Sequence, residues 1–311
     1  MSKIFEKNFW GLILGGSSGF GLASAKKLAS LGMNIVVIHR DRKGSMPRIE
    51  GEFNKVRSHN VSFISINENA LTTEGRCGIL DHLMKEIGPN KIRLLLHSIA
   101  LGNLKVIAPY NSSKIPVTSK LAHALGVSES KLQASVDQLF QEGCAQMVEL
   151  ATPPSYDSEL VAGEEDFGQT IYNMGTSLVS WVQEMHERRL FTEDARVIGL
   201  TSEGNEIAWK GYAAVSAAKL ALEAVARSIA KEFAPFGVRC NILQPGITDT
   251  PALRAIPGNA HMKARALLRN PMSRLTTPED VGNVVALMCM DEAAWINGAI
   301  IRVDGGEHIA G

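Results

Sequence analysis

Apolar residues follow two alternating rhythms along this chain. Short apolar-rich runs at 9–14, 34–38, 61–66 and 92–97 draw mostly on Leu, Ile, Val and Phe, and the one at 34–38 is continuous after Asn34. Such runs predict strands buried on both faces, because a strand with one wet face alternates polar and apolar residues. Between them, apolar positions recur at helical spacing over 22–31, 48–59 and 78–87. In the first of these helices Ala25, Leu28 and Ala29 share a face, and Gly32 stops it. The rhythm resumes with a long helix over 167–187, a strand over 195–200 and a helix over 211–233. A strand over 238–243, a helix over 278–288 and a strand over 299–303 complete it. Strands alternating with helices predict a single α/β domain with a doubly wound parallel sheet and right-handed crossovers.

Residues 104–165 break this rhythm. They carry helical patterns at 118–125 and 128–142, a break at Pro153-Pro154 and an acidic loop over 164–166. Their place after the fourth strand marks a helical insertion at the carboxyl edge of the sheet, where open α/β sheets bind ligands. Leu121, Leu125, Leu132, Leu139 and Phe140 stand at helical spacing, so a lid over a substrate is expected.

The 311 residues are 45% hydrophobic and 21% charged, with 32 basic and 32 acidic side chains. No global field draws nucleic acid or an anionic membrane. Cys77, Cys144, Cys240 and Cys289 lie far apart, which argues against a disulfide framework or a metal site and suits a reducing compartment. The start of the sequence carries no signal-peptide pattern, and no apolar run has membrane length, so a cytoplasmic, membrane-free protein is expected. Residues 117–143 resemble a helix-turn-helix centred on Gly126, which raises a redox-sensing DNA-binding regulator as an alternative. Over 111–143, however, Lys114, Lys120 and Lys131 are balanced by Glu129, Asp137 and Glu142, with no arginine, so no nucleic-acid partner is expected.

The clearest motif is Gly15-Gly16-Ser17-Ser18-Gly19-Phe20-Gly21, between the first strand and the first helix. Gly15 permits a sharp turn, Gly19 lets the backbone approach a pyrophosphate, and Gly21 allows close helix–sheet packing. The phosphates would meet free N–H groups at the helix start. After the second strand come His39-Arg40-Asp41-Arg42. A carboxylate there suits the ribose of NAD, and an arginine suits the 2′-phosphate of NADP. Arg40 and Arg42 favour NADPH; His39 fills the usual carboxylate position, and Asp41 leaves NADH open.

Tyr212 and Lys219 stand seven residues apart in a small-residue helical segment. Seven helical steps make about 700°, close to two full turns, so both face the same way. An ammonium near a phenol favours the phenolate and improves the hydroxyl as a proton donor.

In order, the glycine turn, His97-Ser98-Ile99-Ala100, Tyr212…Lys219, Pro245-Gly246-Ile247-Thr248-Asp249-Thr250 and Val303-Asp304-Gly305-Gly306 resemble the Rossmann-like short-chain dehydrogenase/reductase family over nearly the whole chain. The seven-residue spacing and His97-Ser98-Ile99 resemble its enoyl-acyl-carrier-protein reductase branch. Ser202, ten residues before Tyr212, resembles the NADPH-using FabL type. The resemblance implies reduction of a trans-2-enoyl thioester in fatty acid synthesis, with the substrate on acyl carrier protein and the enzyme a homotetramer. It implies that Tyr212 donates to the thioester carbonyl and that Lys219 holds the nicotinamide ribose. Gly15, Ser17, Ser18, Gly19, Phe20, Gly21, Ser98, Ile99, Gly246, Ile247, Thr248 and Thr250 would bind the cofactor along with Arg40 and Arg42, and Asn67 would lie near the adenine. Gly199, thirteen before Tyr212, stands where carbonyl-reducing members keep a serine, and Tyr172 where they keep an asparagine. A 3-oxoacyl or other carbonyl reductase is the alternative.

The longer spacing has a physical sense. In enoyl reduction the charge develops on an oxygen remote from the carbon receiving hydride, so the donor must sit further away. Three extra helical residues move it by about 4.5 Å along the axis.

Overall fold

The computed structural model describes residues 4–5, 8–109, 117–156 and 161–310. Lys114, counted above, and the other insertion residues at 110–116 and 157–160 lie outside the described residues. The strands are β1 (Trp10–Leu14), β2 (Asn34–His39), β3 (Phe63–Asn67), β4 (Ile92–His97), β5 (Phe191–Leu200), β6 (Val238–Pro245) and β7 (Ile300–Val303). They form one sheet in the order β3-β2-β1-β4-β5-β6-β7, and each neighbouring pair is parallel. The helices are α1 (Gly19–Ser30), α2 (Met46–Arg57), α3 (Thr73–Glu86), α4 (Val117–Leu125), α5 (Glu129–Gln141) and α6 (Glu164–Ile171). After them come α7 (Ser177–Glu187), α8 (Ala213–Glu232), α9 (Pro251–Arg254), α10 (Asn259–Arg269) and α11 (Pro278–Met288). This is the doubly wound, Rossmann-like architecture.

Successive residues of each strand point to opposite faces, and in the interior strands both faces are dry. The edge strands β3 and β7 are only half-buried or partly exposed, contrary to the two-sided burial expected at 61–66. Leu12 and Leu14 of β1 join Val36, Ile38, Leu95 and Val197 under α3, α7 and α8, where Trp181 is fully buried. Ile13 joins Ile35, Val37, Leu96 and Ile198 under α1, α2 and α11. That two-sided burial explains why the interior strand segments read as apolar-rich runs.

The predicted helix over 167–187 begins earlier, at Glu164, and runs through α6, a π turn at Tyr172–Thr176 and α7. Its first turn contains the acidic residues expected in a loop. Asp166 accepts the Gly163 N–H at 3.0 Å, and three carboxylates near a helix N-terminus are favoured by its dipole. The π turn packs tightly on α8: a Cβ added to Gly175 would stand 2.7 Å from the Ala218 carbonyl oxygen.

The insertion is tied at its base by a bridge between Val106 and Val161 and by Lys105 paired with Asp166 at 2.9 Å. Phe140, Ala145 and Val148 pack on Ala264 and Leu267 of α10. Leu125 and Leu139, expected on a lid's inner face, are exposed. No helix among the described residues is long and apolar enough to cross a membrane.

At the amino end of the sheet, Arg93 of β4, Arg196 of β5 and Arg239 of β6 converge on the Asp194 carboxylate. Arg93 also pairs with Asp291 at 2.7 Å and donates to the Cys289 carbonyl. Arg196 donates to the Met288 carbonyl at 3.0 Å. These carbonyls are the unpaired last acceptors of α11, so the cluster locks that helix to three strands. Asp194→Ala would leave Arg196, which is 1% exposed, without a carboxylate. We expect a loss of roughly 2–3 kcal/mol, toward the low end for a buried pair because the Asp194 side chain is 33% exposed. Chemical denaturation of the parent and variant measures it, and an unchanged midpoint would contradict this role.

Candidate active site

Strand order reverses between β1 and β4, so the crossovers part and leave a crevice at their carboxyl ends. The Ser98 N–H donates to the Leu14 carbonyl at 2.9 Å, which holds Gly15 against the end of β4. Gly15 has φ +80°, and a Cβ there would lie 2.4 Å from the Ser98 carbonyl oxygen. Around Gly19 (φ +51°) the nearest atom to such a Cβ is Thr250 Cγ2 at 3.6 Å, so this face stays open. Ser18 precedes α1 without a side-chain cap bond, and no acidic residue stands in the first turn. The first N–H groups of α1 therefore have no protein anion, a setting that fits a phosphate.

Arg40 and Arg42 are exposed beyond β2, and neither forms an ion pair among the described residues. His39 is buried, with Nδ1 2.9 Å from Asp41 Oδ2 and Nε2 3.2 Å from Ser65 Oγ. Asn67, the last residue of β3, accepts the Asp41 N–H and donates to the Asp41 carbonyl, both at 3.0 Å. Its amide thus shapes the arginine-bearing loop and is already engaged there.

A cavity of about 350 Å³ opens over the ends of β4, β5 and β6. It brings together Phe20, Ser98, Ile99, Tyr212, Lys219, Gly246, Ile247, Thr248 and Thr250 from the sequence-predicted set. Arg40, Arg42 and Asn67 are not among its lining residues. Of 104–165, Leu104 alone lines it among the described residues. The expected cover comes instead from Ala252, Leu253, Ala255 and Ile256, in and beside α9. Of the insertion's apolar residues, Phe140, Ala145 and Val148 are committed to α10.

Tyr212 is the residue just before α8, 8% exposed, with its ring edge-on to Trp209. Gly204 packs so closely that a Cβ would meet the Tyr212 ring at 2.4 Å. The phenol oxygen lies 3.3 Å from Ser202 Oγ. Burial pushes the phenol above its usual range, and the Ser202 hydrogen bond only partly opposes this. Lys219 Nζ donates to the Leu200 carbonyl at 2.8 Å. Burial lowers the Lys219 ammonium to about 8, against the pull of Glu223 one turn further along α8. The expected easing of phenol ionisation by Lys219 is not what the site shows: Lys219 directs one of its three donors to a strand carbonyl, and desolvation dominates at Tyr212.

His97, the last residue of β4, is buried behind the cavity-lining Ser98. Nε2 is 2.9 Å from Ser177 Oγ at the end of the π turn. Burial, helped by the nearby Lys219 charge, lowers the imidazole to about 3, so it stays neutral. Glu223 is buried and accepts from Thr201 Oγ1 and Asn205 Nδ2. Gly199 does not line the cavity. It pairs with His97 and Ile242 inside the sheet, and a Cβ would stand 2.7 Å from Ile242 Cδ1. The hydroxyl beside the tyrosine comes instead from Ser202, three residues on. Sequence reasoning missed this role, along with Trp209, Glu203 and the α9 wall. Trp209, three residues before Tyr212, was the one available signal.

A family model described as enoyl-(acyl carrier protein) reductase matches residues 157–308. The chain is 36% identical over 123 residues to the enoyl-[acyl-carrier-protein] reductase [NADH] FabI of Escherichia coli, covering 40% of this chain and 47% of that protein. It is 34% identical over 110 residues to a cis-4-hydroxycyclohexanecarboxylate dehydrogenase of Sinomonas cyclohexanicum, covering 35% of this chain and 41% of that protein. Less than half the length of either relative is matched. An uncharacterized oxidoreductase of Methylorubrum extorquens is 26% identical over 75% of this chain and 98% of its own. The solved enoyl-(acyl-carrier-protein) reductase of Anaplasma phagocytophilum, in complex with NAD, superposes with a TM-score of 0.69 at 15% identity, covering 100% of this chain and 95% of that one. A Serratia marcescens short-chain dehydrogenase/reductase mutant gives 0.70 at 18% identity, covering 97% and 98%. In motif order, fold and the matched family model, this chain is similar to oxidoreductases of the short-chain dehydrogenase/reductase type.

Proposed function

We propose that the chain is an NADPH-dependent reductase of trans-2-enoyl thioesters, presented on an acyl carrier protein in fatty acid synthesis. The observation that carries this reading is a buried tyrosine hydroxyl at the wall of an apolar cavity, seven residues before a buried lysine. The cofactor fit rests on the start of α1 without a side-chain cap, the open face at Gly19 and the exposed Arg40 and Arg42 after β2, which form no ion pair among the described residues. Nicotinamide, when bound, supplies hydride. Tyr212 would donate a hydrogen bond to the thioester oxygen as it gains enolate charge, a contact that a dry site strengthens. Lys219, held by Leu200, would keep an ammonium beside the cofactor ribose, and neutral His97 would add no competing charge.

The Ser202–Tyr212 pair favours a second reading, reduction of a 3-oxoacyl or other carbonyl group, because it restores a hydroxyl beside the tyrosine. Purified protein given NADPH with a 2-enoyl or a 3-oxoacyl thioester separates the two. Turnover of the oxo substrate alone would reject enoyl reduction.

Tyr212→Phe should lower kcat on the enoyl substrate by roughly a hundredfold with little change in NADPH affinity. Full activity in steady-state assays would remove Tyr212 from the chemistry. Arg40→Ala and Arg42→Ala should each weaken NADPH relative to NADH, by about tenfold in kcat/KM, as expected for a lost charge-assisted hydrogen bond. A parent that uses NADH equally well would overturn the cofactor preference. A third expectation concerns pH. Lys219 is charged below its value of about 8 and neutral above it, so kcat/KM for NADPH should fall as pH rises through that value. Lys219→Arg should lose this alkaline limb, and an unchanged profile would show that the limb belongs to another group.

A further inference from the structure

Ile247 lines the cavity just after β6, yet its backbone N–H is already taken. It donates to Glu307 Oε2 at 3.2 Å. The other oxygen of the same carboxylate accepts from Arg269 Nη2 at 2.8 Å. That nitrogen also reaches both oxygens of Glu203, at 2.8 and 2.7 Å. Glu307 is 1% exposed and Glu203 5%. One guanidinium therefore joins the loops after β5, β6 and β7 to α10.

The surroundings aim Glu307 at this place. Asp304 accepts the N–H groups of Gly306 and His308, both at 3.0 Å, and Gly306 adopts φ +85°. Asn270, beside Arg269, donates to the Asp304 carbonyl at 2.8 Å. Gly246 leaves the space: a Cβ there would fall 2.7 Å from Glu307 Oε2. Two buried carboxylates around one arginine are a costly way to obtain stability alone, since buried ion pairs gain little over apolar packing. Burial and the neighbouring Glu203 raise the Glu307 carboxyl above its ordinary range, although Arg269 opposes them. Such a group suits a place where main-chain geometry must be held.

We propose that Glu307 is a positioning residue for the nicotinamide end of the cofactor, acting through the Ile247 main chain and held in turn by Arg269. The proposal rests on the reading of the cavity as a nicotinamide dinucleotide site. A carboxylate is required because two donors face its two oxygens. Glutamine has one acceptor oxygen, so its NH₂ group would meet either the Ile247 N–H or Arg269. In Glu307→Ala Arg269 still has the Glu203 carboxylate to pair with.

The test pairs each dinucleotide with a fragment lacking nicotinamide: NADPH with adenosine 2′,5′-bisphosphate, and NADH with ADP-ribose. Affinities are measured by calorimetry for the parent, Glu307→Ala and Glu307→Gln, with thermal melting as the check on folding. Both variants should bind the preferred dinucleotide about tenfold or more weakly, the scale of a lost charged hydrogen bond, while fragment affinity is unchanged. Unchanged dinucleotide affinity would overturn the proposal. So would an equal loss for dinucleotide and fragment, which is the mark of a merely structural role. A parent that binds neither dinucleotide would reject the cofactor reading itself, and the proposal with it.

Discussion

A parallel sheet has to be covered on both faces, and the rest of this structure depends on how that cover is divided. Leu12 and Leu14 face one helical layer and Ile13 the other, so β1 is the seam of two cores. The crossovers from β1 run to one side and those from β4 to the other, and the helices separate at the carboxyl ends of these strands. The crevice is a consequence of topology, before any catalytic residue is considered.

Glycine turns the crevice into a surface that a ligand can approach. Gly15 must pass the Ser98 carbonyl, and Gly21 must pass Gly15, at distances that exclude any side chain. This close packing delivers the start of α1 to the mouth of the cavity with no side-chain cap at Ser18 and no acidic residue in the first turn. The opposite wall is built on α8, where Tyr212 precedes the first turn and Lys219 lies two turns in. Burial then sets their chemistry. Desolvation disfavours the charged form of each, so the phenol is held neutral and the ammonium is weakened.

The polar groups around the cavity are satisfied in chains that cross between elements. His97 of β4 meets Ser177 at the π turn, Glu223 of α8 holds Thr201 and Asn205, and Arg269 of α10 joins Glu203 to Glu307. A buried network of this kind specifies geometry more than it adds stability, because each unpaired member would cost its full desolvation. At the other end of the sheet the arginines around Asp194 do comparable work for α11.

The apolar runs and helical spacings determined the strand–helix alternation, since two-sided burial leaves a direct mark on residue type. The glycine turn and the Tyr212…Lys219 spacing were legible for the same reason: local geometry demands particular residues at short range. The site's remaining features depend on contacts between distant segments. Nothing in the local pattern distinguishes the π turn from an ordinary helix, or tells that Asp166 starts that helix. The offset from Tyr212 marked Gly199 as a place where a serine is lost, but only the fold shows Gly199 buried in the sheet and Ser202 beside the phenol. The spacing also suggested an ammonium acting on a phenol. Tertiary packing gave that ammonium to the Leu200 carbonyl and left the phenol to burial. The insertion's apolar spacing was visible, yet its partner, α10, was settled only when residues 140–148 and 264–267 met in space. Pattern reveals what a segment must bury; the fold alone decides against what.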